Sequence, residues 1–247
     1  MSRGWFVLLL PACVVVLALT LLPAMPQPLE YHRFADARAW LGVPNFLDVA
    51  SNLVFLAVAV AGLRAAQRDI PNRTERLPYA LFFAALVATA CGSAWYHLAP
   101  DNARLFWDRL PIVLCFAALL AAVIGERLGF RAGQLSLAPL VAVGAGSVWY
   151  WLRGEELGVG NVLTYFAFQL YVLLAILLLL HFHPPRYSRS ADLYGMMLLY
   201  GAALAAELLD RYIFSLGEVV IGHTLKHLLA ALGAYQLVRM LRLRQRI

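Results

Sequence analysis

Apolar runs of about 20 residues, the length that crosses a hydrocarbon core, recur along the whole of this chain. They fall at residues 4–25, 46–66, 78–98, 108–126, 135–152, 162–182, 193–213 and 220–240. Charged residues make up 14% of the 247 residues, against about 25% in a soluble domain, and the mean hydropathy is +0.73. The pattern predicts an all-α polytopic membrane protein forming one transmembrane domain over 1–247, with no repeat at a fixed period. The first run follows Arg3, but its apolar core exceeds the h-region of a signal peptide. "LLPAMPQP" offers no A-x-A cleavage site either, so a retained helix is expected over 4–25. Cys13, Cys91 and Cys115 sit in apolar runs without C-x-x-C spacing and say nothing about redox compartment.

The net charge of +6 does not point to nucleic acid, because the arginines are segregated. Eight alternating spans put Arg3, the Arg64–Arg76 group, Arg127 and Arg131, Arg186 and Arg189, and Arg239–Arg246 on one side. The positive-inside rule makes that side cytoplasmic, with both termini inside. Glu30, Asp36, Asp101, Asp108, Glu155, Glu156 and Glu218 fall on the outer side.

Against that map, three remote segments deliver polar groups to one membrane depth. "CGSAWYHLAP" ends an outward-running span, with Ser93 and His97 one turn apart and Pro100 breaking the helix. "FWDRLP" opens the next span with Asp108, and "GHTLKH" opens the last with His223 and His227 on one helical face. Ionisable groups inside spans mark function by default. Three neutral imidazoles make the ligand set of a catalytic zinc that keeps a fourth position open. The second position of H-T-L-K-H is Thr224, which lacks the internal base of an H-E-x-x-H zincin. Asp108 is therefore the acid suited to take a proton from water, and Ser93 a hydroxyl suited to the oxyanion side.

Structural roles stand beside each of these readings. A single intramembrane His is also an interhelical hydrogen-bonding residue; Asp108 precedes Arg109, a ready ion-pair partner; Ser93 lies in a small-residue patch that suits helix packing. Lys226 is about 100° around the helix from the histidines, so it snorkels or pairs with an acid. Glu207 and Arg211 stand i, i+4 and are expected to pair inside the bundle near Asp210, with contact between Glu207 and a substrate headgroup as the other reading. Asp48, Ser51 and Asn52 are expected to hydrogen-bond between helices. Trp95, Tyr96, Trp149, Tyr150 and Trp151 are expected as interfacial aromatics.

The ordered set "SAWYH", the Asp of "DRLP" and "GHTLKH", together with "DVASN" at 48–52, resembles the alkaline ceramidase family. That family belongs to a superfamily of seven-helix membrane zinc hydrolases that includes adiponectin-receptor-like proteins. The resemblance covers about residues 45–240 and implies a seven-helix core over 46–240, with the 4–25 span as an addition. It implies zinc on His97, His223 and His227, Asp108 as the water-activating acid and Ser93 as the oxyanion-side hydroxyl. The implied activity is hydrolysis of ceramide, or a ceramide-like lipid amide drawn from the bilayer, to a long-chain base and a fatty acid. The implied setting is a bacterial-type member in the inner membrane, its site near the outer face. The acidic calcium-binding segment of eukaryotic members has no match in spacing here: Glu30, Asp36, Asn45 and Asp48 offer oxygens, Asn45 replaces an acid, and Ca2+ stays an open alternative. The outer segment 26–45 instead reads as a flap, with His32 and Asp36 reaching the rim of the site. Two rival classes remain: a receptor or signalling relative with a mainly structural zinc, and a bis-histidine haem protein, which needs histidines facing each other across a wide pocket.

Overall fold

A computed structural model describes residues 3–247. Helix takes up 79% of the chain and no strand forms among the described residues, so the fold is all-α. The helices are α1 (Arg3–Leu21), α2 (Phe46–Asp69), α3 (Arg73–Leu98), α4 (Asn102–Leu128), α5 (Phe130–Glu156), α6 (Leu163–Phe182), α7 (Ser190–Leu208), the short α8 (Asp210–Ser215) and α9 (Gly222–Leu243). A single 3-10 turn, Leu29–His32, interrupts the long segment between α1 and α2. Among the described residues, five helices, α2 to α6, are long and apolar enough to cross a membrane. Large apolar side chains such as Leu135, Val143, Phe166 and Leu170 are exposed on their outer faces, which suits a lipid surround.

Sequence chemistry sets the boundaries. Asn72 caps α3 by accepting from the Thr74 and Glu75 amides, and Asp101 caps α4 by accepting from Arg104 N–H. Gly129, at φ 126°, turns α4 into α5 within one residue, a conformation open to glycine at little cost. The run expected as one span over 193–213 is broken: α7 stops at Leu208 and α8 starts at Asp210. The Asp210 carboxylate leaves the helical pattern to accept from the amides of His223 and Ala35. The Glu207–Arg211 pair expected across that break does not form. Glu207 turns inward to Lys226, and Arg211 reaches the exposed Glu30 at 3.9 Å.

Helix α4 is the axis of the bundle, buried over 83% of its apolar window, and packs against α3, α5 and α6. From α3 the bundle continues through α2 to α9 and α7, while α1 lies along α6. Helices α6 and α7 make little direct contact; a hydrogen bond from Tyr200 to Gln169 bridges them. Glycine sets two close approaches. A Cβ on Gly92 would lie 2.1 Å from the Trp107 carbonyl oxygen, and one on Gly222 2.4 Å from that of Ala206. Residue 92 thus brings α3 onto α4 beside Asp108, and residue 222 seats the start of α9 on the α7–α8 break.

The bundle ends differ in how they treat charge. At the end carrying the C-terminus, buried Arg244 bonds to both Glu75 and Glu126, with Tyr79 donating to Glu126 and the guanidinium 4.2 Å from the Tyr187 ring. Removing one partner of a buried pair strands the others in a medium that cannot solvate them. Arg244→Ala is expected to destabilise the bundle by about 3–5 kcal/mol, read as a lowered thermal unfolding midpoint in detergent. A variant as stable as wild type would mean that water reaches the cluster.

Candidate metal centre and its cavity

His97 comes from the last turn of α3, His223 and His227 from the first two turns of α9, and the fold brings them together. Their ring centroids lie 4.8 to 5.1 Å apart. One nitrogen from each is within 4.8 Å of the others, and all three residues are buried. The spacing is too tight for a planar macrocycle between the rings, which removes the geometry a bis-histidine haem requires.

Neighbouring groups hold each histidine in place, two by its backbone and one by its ring. Asn45, held at φ 47° ahead of α2, donates to the His97 carbonyl at 2.7 Å and pins the end of α3. Asp210 holds the His223 amide at 2.9 Å. Ser51 Oγ lies 2.7 Å from His227 Nδ1 and donates its only proton to the Asp48 carbonyl. It therefore accepts from Nδ1–H, which fixes the tautomer that leaves the Nε2 lone pair for the cluster. His97 Nδ1 and His223 Nε2 are buried with no hydrogen-bond partner. Buried polar atoms are otherwise nearly always paired, so converging nitrogens without partners suit a divalent cation. The donor set fits zinc.

The remaining expected site residues gather at the same place. Ser93 is buried with its hydroxyl facing the Asp108 carboxylate, and both line a cavity with His227. Asp108 does not pair with Arg109, which turns away to Gln27 Oε1 at 2.7 Å. Lys226 takes the second of its two expected courses: it lies 2.6 Å from Glu207, whose carboxylate also accepts from Tyr31 OH and stands 4.0 Å from His223 Nδ1. Asp48 accepts from Thr224 and Ser51 meets His227, so both link α2 to α9. Asn52 bonds only within its own helix. Trp95, Trp149 and Tyr150 are exposed as interfacial aromatics would be, but Tyr96 and Trp151 are buried. Tyr96 bonds His32, and Trp151 stacks on Arg109.

The segment 26–45 crosses this end of the bundle. The Phe34 ring lies 4.8 Å from His97 and 5.0 Å from His223, and His32 bonds Tyr96 OH and Asn102. Asp36 is not at the rim: Arg38 grips it at 2.7 Å, and that hydrogen bond holds its carboxyl below the usual carboxylate range. The four residues considered for calcium are engaged separately: Glu30 pairs with Arg33 and Asp36 with Arg38, Asp48 accepts from Thr224, and Asn45 donates its side-chain NH2 to the His97 carbonyl.

Behind the histidines the cavity is apolar. It runs along α4 from Asp108 and Arg109 to Leu119, about 15 Å at 1.5 Å per residue, between α6 and α7 with Met196, Met197 and Phe82 in its wall. The site is a polar head on an apolar shaft.

Comparison with protein-family models, with curated proteins and with solved structures returns no match. The site is therefore read from its own chemistry.

Two measurements address the metal. His223→Ala or His227→Ala should lose most of the metal that wild-type protein carries when purified without chelator; a wild type free of transition metal would end the assignment. Ser51→Ala removes only the group that orients His227, and its zinc affinity should fall by about 10–100-fold in a chelator competition. An unchanged affinity would mean that the contact between Ser51 and His227 plays no part in binding.

Proposed function

We propose that this chain is a membrane-embedded zinc-dependent amidase that hydrolyses ceramide or a ceramide-like lipid amide, as its resemblance to the alkaline ceramidases implies. One observation carries the reading: an apolar shaft the length of an acyl segment meets Asp108, Ser93 and His227 at its polar end, and His227 is one of three clustered buried histidines. In the proposed arrangement the seven helices α2–α7 and α9 form the core, α1 is an added N-terminal span, and the arginine-rich end is cytoplasmic.

His97, His223 and His227 would hold the ion. Bound there, zinc supplies Lewis acidity, lowering the pKa of a water from about 15.7 toward 7 and polarising a carbonyl. The shaft binds the acyl chain entering from the bilayer and sets the amide at the histidine end. The Asp108 carboxylate accepts the proton of the attacking water as its oxygen bonds to the carbonyl carbon. Ser93 donates to the Asp108 carboxylate before reaction; once Asp108 has taken the water's proton, the hydroxyl turns to donate to the carbonyl oxygen as negative charge develops there. As the C–N bond breaks, Asp108 returns the proton to the leaving amine nitrogen, which completes the balance of fatty acid and long-chain amine. Phe34 covers His97 and His223 and keeps bulk water from the reacting atoms, while the Glu207–Lys226 pair steadies His223.

Asp108→Asn keeps size and shape but removes the basic oxygen. With folding and zinc content intact, lipid-amide hydrolysis should fall by about 10²–10⁴-fold, the usual worth of general-base assistance. Wild-type rates in that variant would remove Asp108 from the mechanism. A zinc-loaded wild type that hydrolyses no lipid amide would move the chain to the receptor class. Orientation is read separately: a C-terminal reporter active only in an oxidising exterior compartment should stay silent, and a signal from it would reverse the topology.

A further inference from the structure

Arg109 and Arg244 both bury their side chains, and the protein treats them in opposite ways. Arg244 sits between two carboxylates. Arg109, 2% exposed, has none: its Nη2 donates to the neutral Gln27 Oε1 and its Nη1 has no partner. Of the nearby acids, Glu207 is bonded to Lys226 and Tyr31, and the Asp108 carboxylate makes no ion pair with Arg109, whose Nη2 goes to Gln27. A buried cation without a counter-ion is costly in a bundle that excludes water. Aromatic faces offset part of that cost: the guanidinium carbon lies 4.3 Å from the Trp151 ring centroid and 4.7 Å from that of Tyr165. The surround is fixed in turn, because Glu155 accepts from both Trp151 Nε1 and the Gln27 amide.

Arg109 also lines the polar end of the cavity. It stacks on rings from α5 and α6, whereas the histidines come from α3 and α9, so it stands across the cavity from them. A lipid amide with its acyl chain in the shaft and its carbonyl at the histidines presents the substituent of its amide nitrogen to that opposite wall. Resting on the amidase reading, we infer that Arg109 is a specificity-determining residue that binds a carboxylate on the amine side of the substrate, making acidic N-acyl lipids of the N-acyl amino acid type the preferred class. Guanidinium and carboxylate form a charge-assisted pair, and the partnerless Nη1 is the donor it would use. The released fatty acid is a second source of a carboxylate, but its carboxyl carbon is the one attacked at the histidines, away from Arg109.

The test uses zinc-loaded full-length protein with N-palmitoylglycine, N-palmitoylethanolamine and palmitate. The first two share acyl chain and amide and differ in having an acid or a hydroxyl. Wild type should bind and hydrolyse N-palmitoylglycine in preference, and Arg109→Gln should lower the acid-to-neutral ratio of kcat/KM and of affinity by about 10–100-fold, the worth of a charge-assisted hydrogen bond. A ratio unchanged by the substitution, or equal binding of the two amides by wild type, overturns the proposal. The wild-type comparison decides the matter even if Arg109→Gln does not fold. Palmitate affinity that falls with Arg109→Gln while the amide ratio stays fixed would assign Arg109 to the product instead, and also overturns it. If wild type cleaves neither amide, the amidase reading fails on its own, and the binding ratio still judges the carboxylate site.

Discussion

A polar group inside a bundle of this kind has no solvent to fall back on, so it must be paired within the protein or reserved for a ligand. That constraint separates the two ends of the molecule. At one end Arg244, Glu75, Glu126 and Tyr79 satisfy one another and tie the last helix to α3 and α4. At the other end Arg109 Nη1, on the cavity wall, and His97 Nδ1 and His223 Nε2, in the cluster with the cavity-lining His227, are left without partners. The first set holds the fold, and the second is available for chemistry.

The polar end is assembled by contacts that are small in sequence terms. Gly92 lets α3 approach α4 closely enough for Ser93 to face Asp108, and Gly222 lets α9 begin against the α7–α8 break. Asn45 then fixes the end of α3 that carries His97, and Ser51 and Asp210 fix the start of α9 that carries His223 and His227. Because these anchors come from the head of α2 and from the α7–α8 break, the three imidazoles converge only when α2, that break and the ends of α3 and α9 are all in position. Such supporting contacts govern metal sites nearly as much as the ligands themselves.

The flap follows from the same need for pairing. Residues 26–45, with Pro26, Pro28 and Pro44 among them, form no α-helix, and they are held by side-chain bonds: Gln27 to Arg109, Tyr31 to Glu207, His32 to Tyr96 and Asn102, and the Ala35 amide to Asp210. Phe34 is thereby laid over the histidines, and the covering of the site is coupled to the groups that line it.

Much was legible in the sequence because hydropathy and i, i+4 spacing are local properties. The all-α architecture, the apolar helices, and the shared face of His223 and His227 follow from run length and helical period alone. So does the common depth of Ser93, His97 and Asp108, since consecutive spans must alternate in direction. The partner of each group was not legible. Nothing local says that Glu207 leaves Arg211 for Lys226, that Asp210 breaks the seventh run to cap His223, or that Trp151 turns inward onto Arg109. Ser51 and Asn45 carried a faint signal as polar residues at the head of an apolar run, but their targets lie on α9 and α3. Those pairings depend on which helix faces which, and that is set by close packing through glycines and by the cost of leaving a buried polar group unpaired. Sequence alone determined which groups reach the same depth; only the tertiary structure decided which are paired and which stay open to a ligand, because pairing depends on distances between helices that no local pattern encodes.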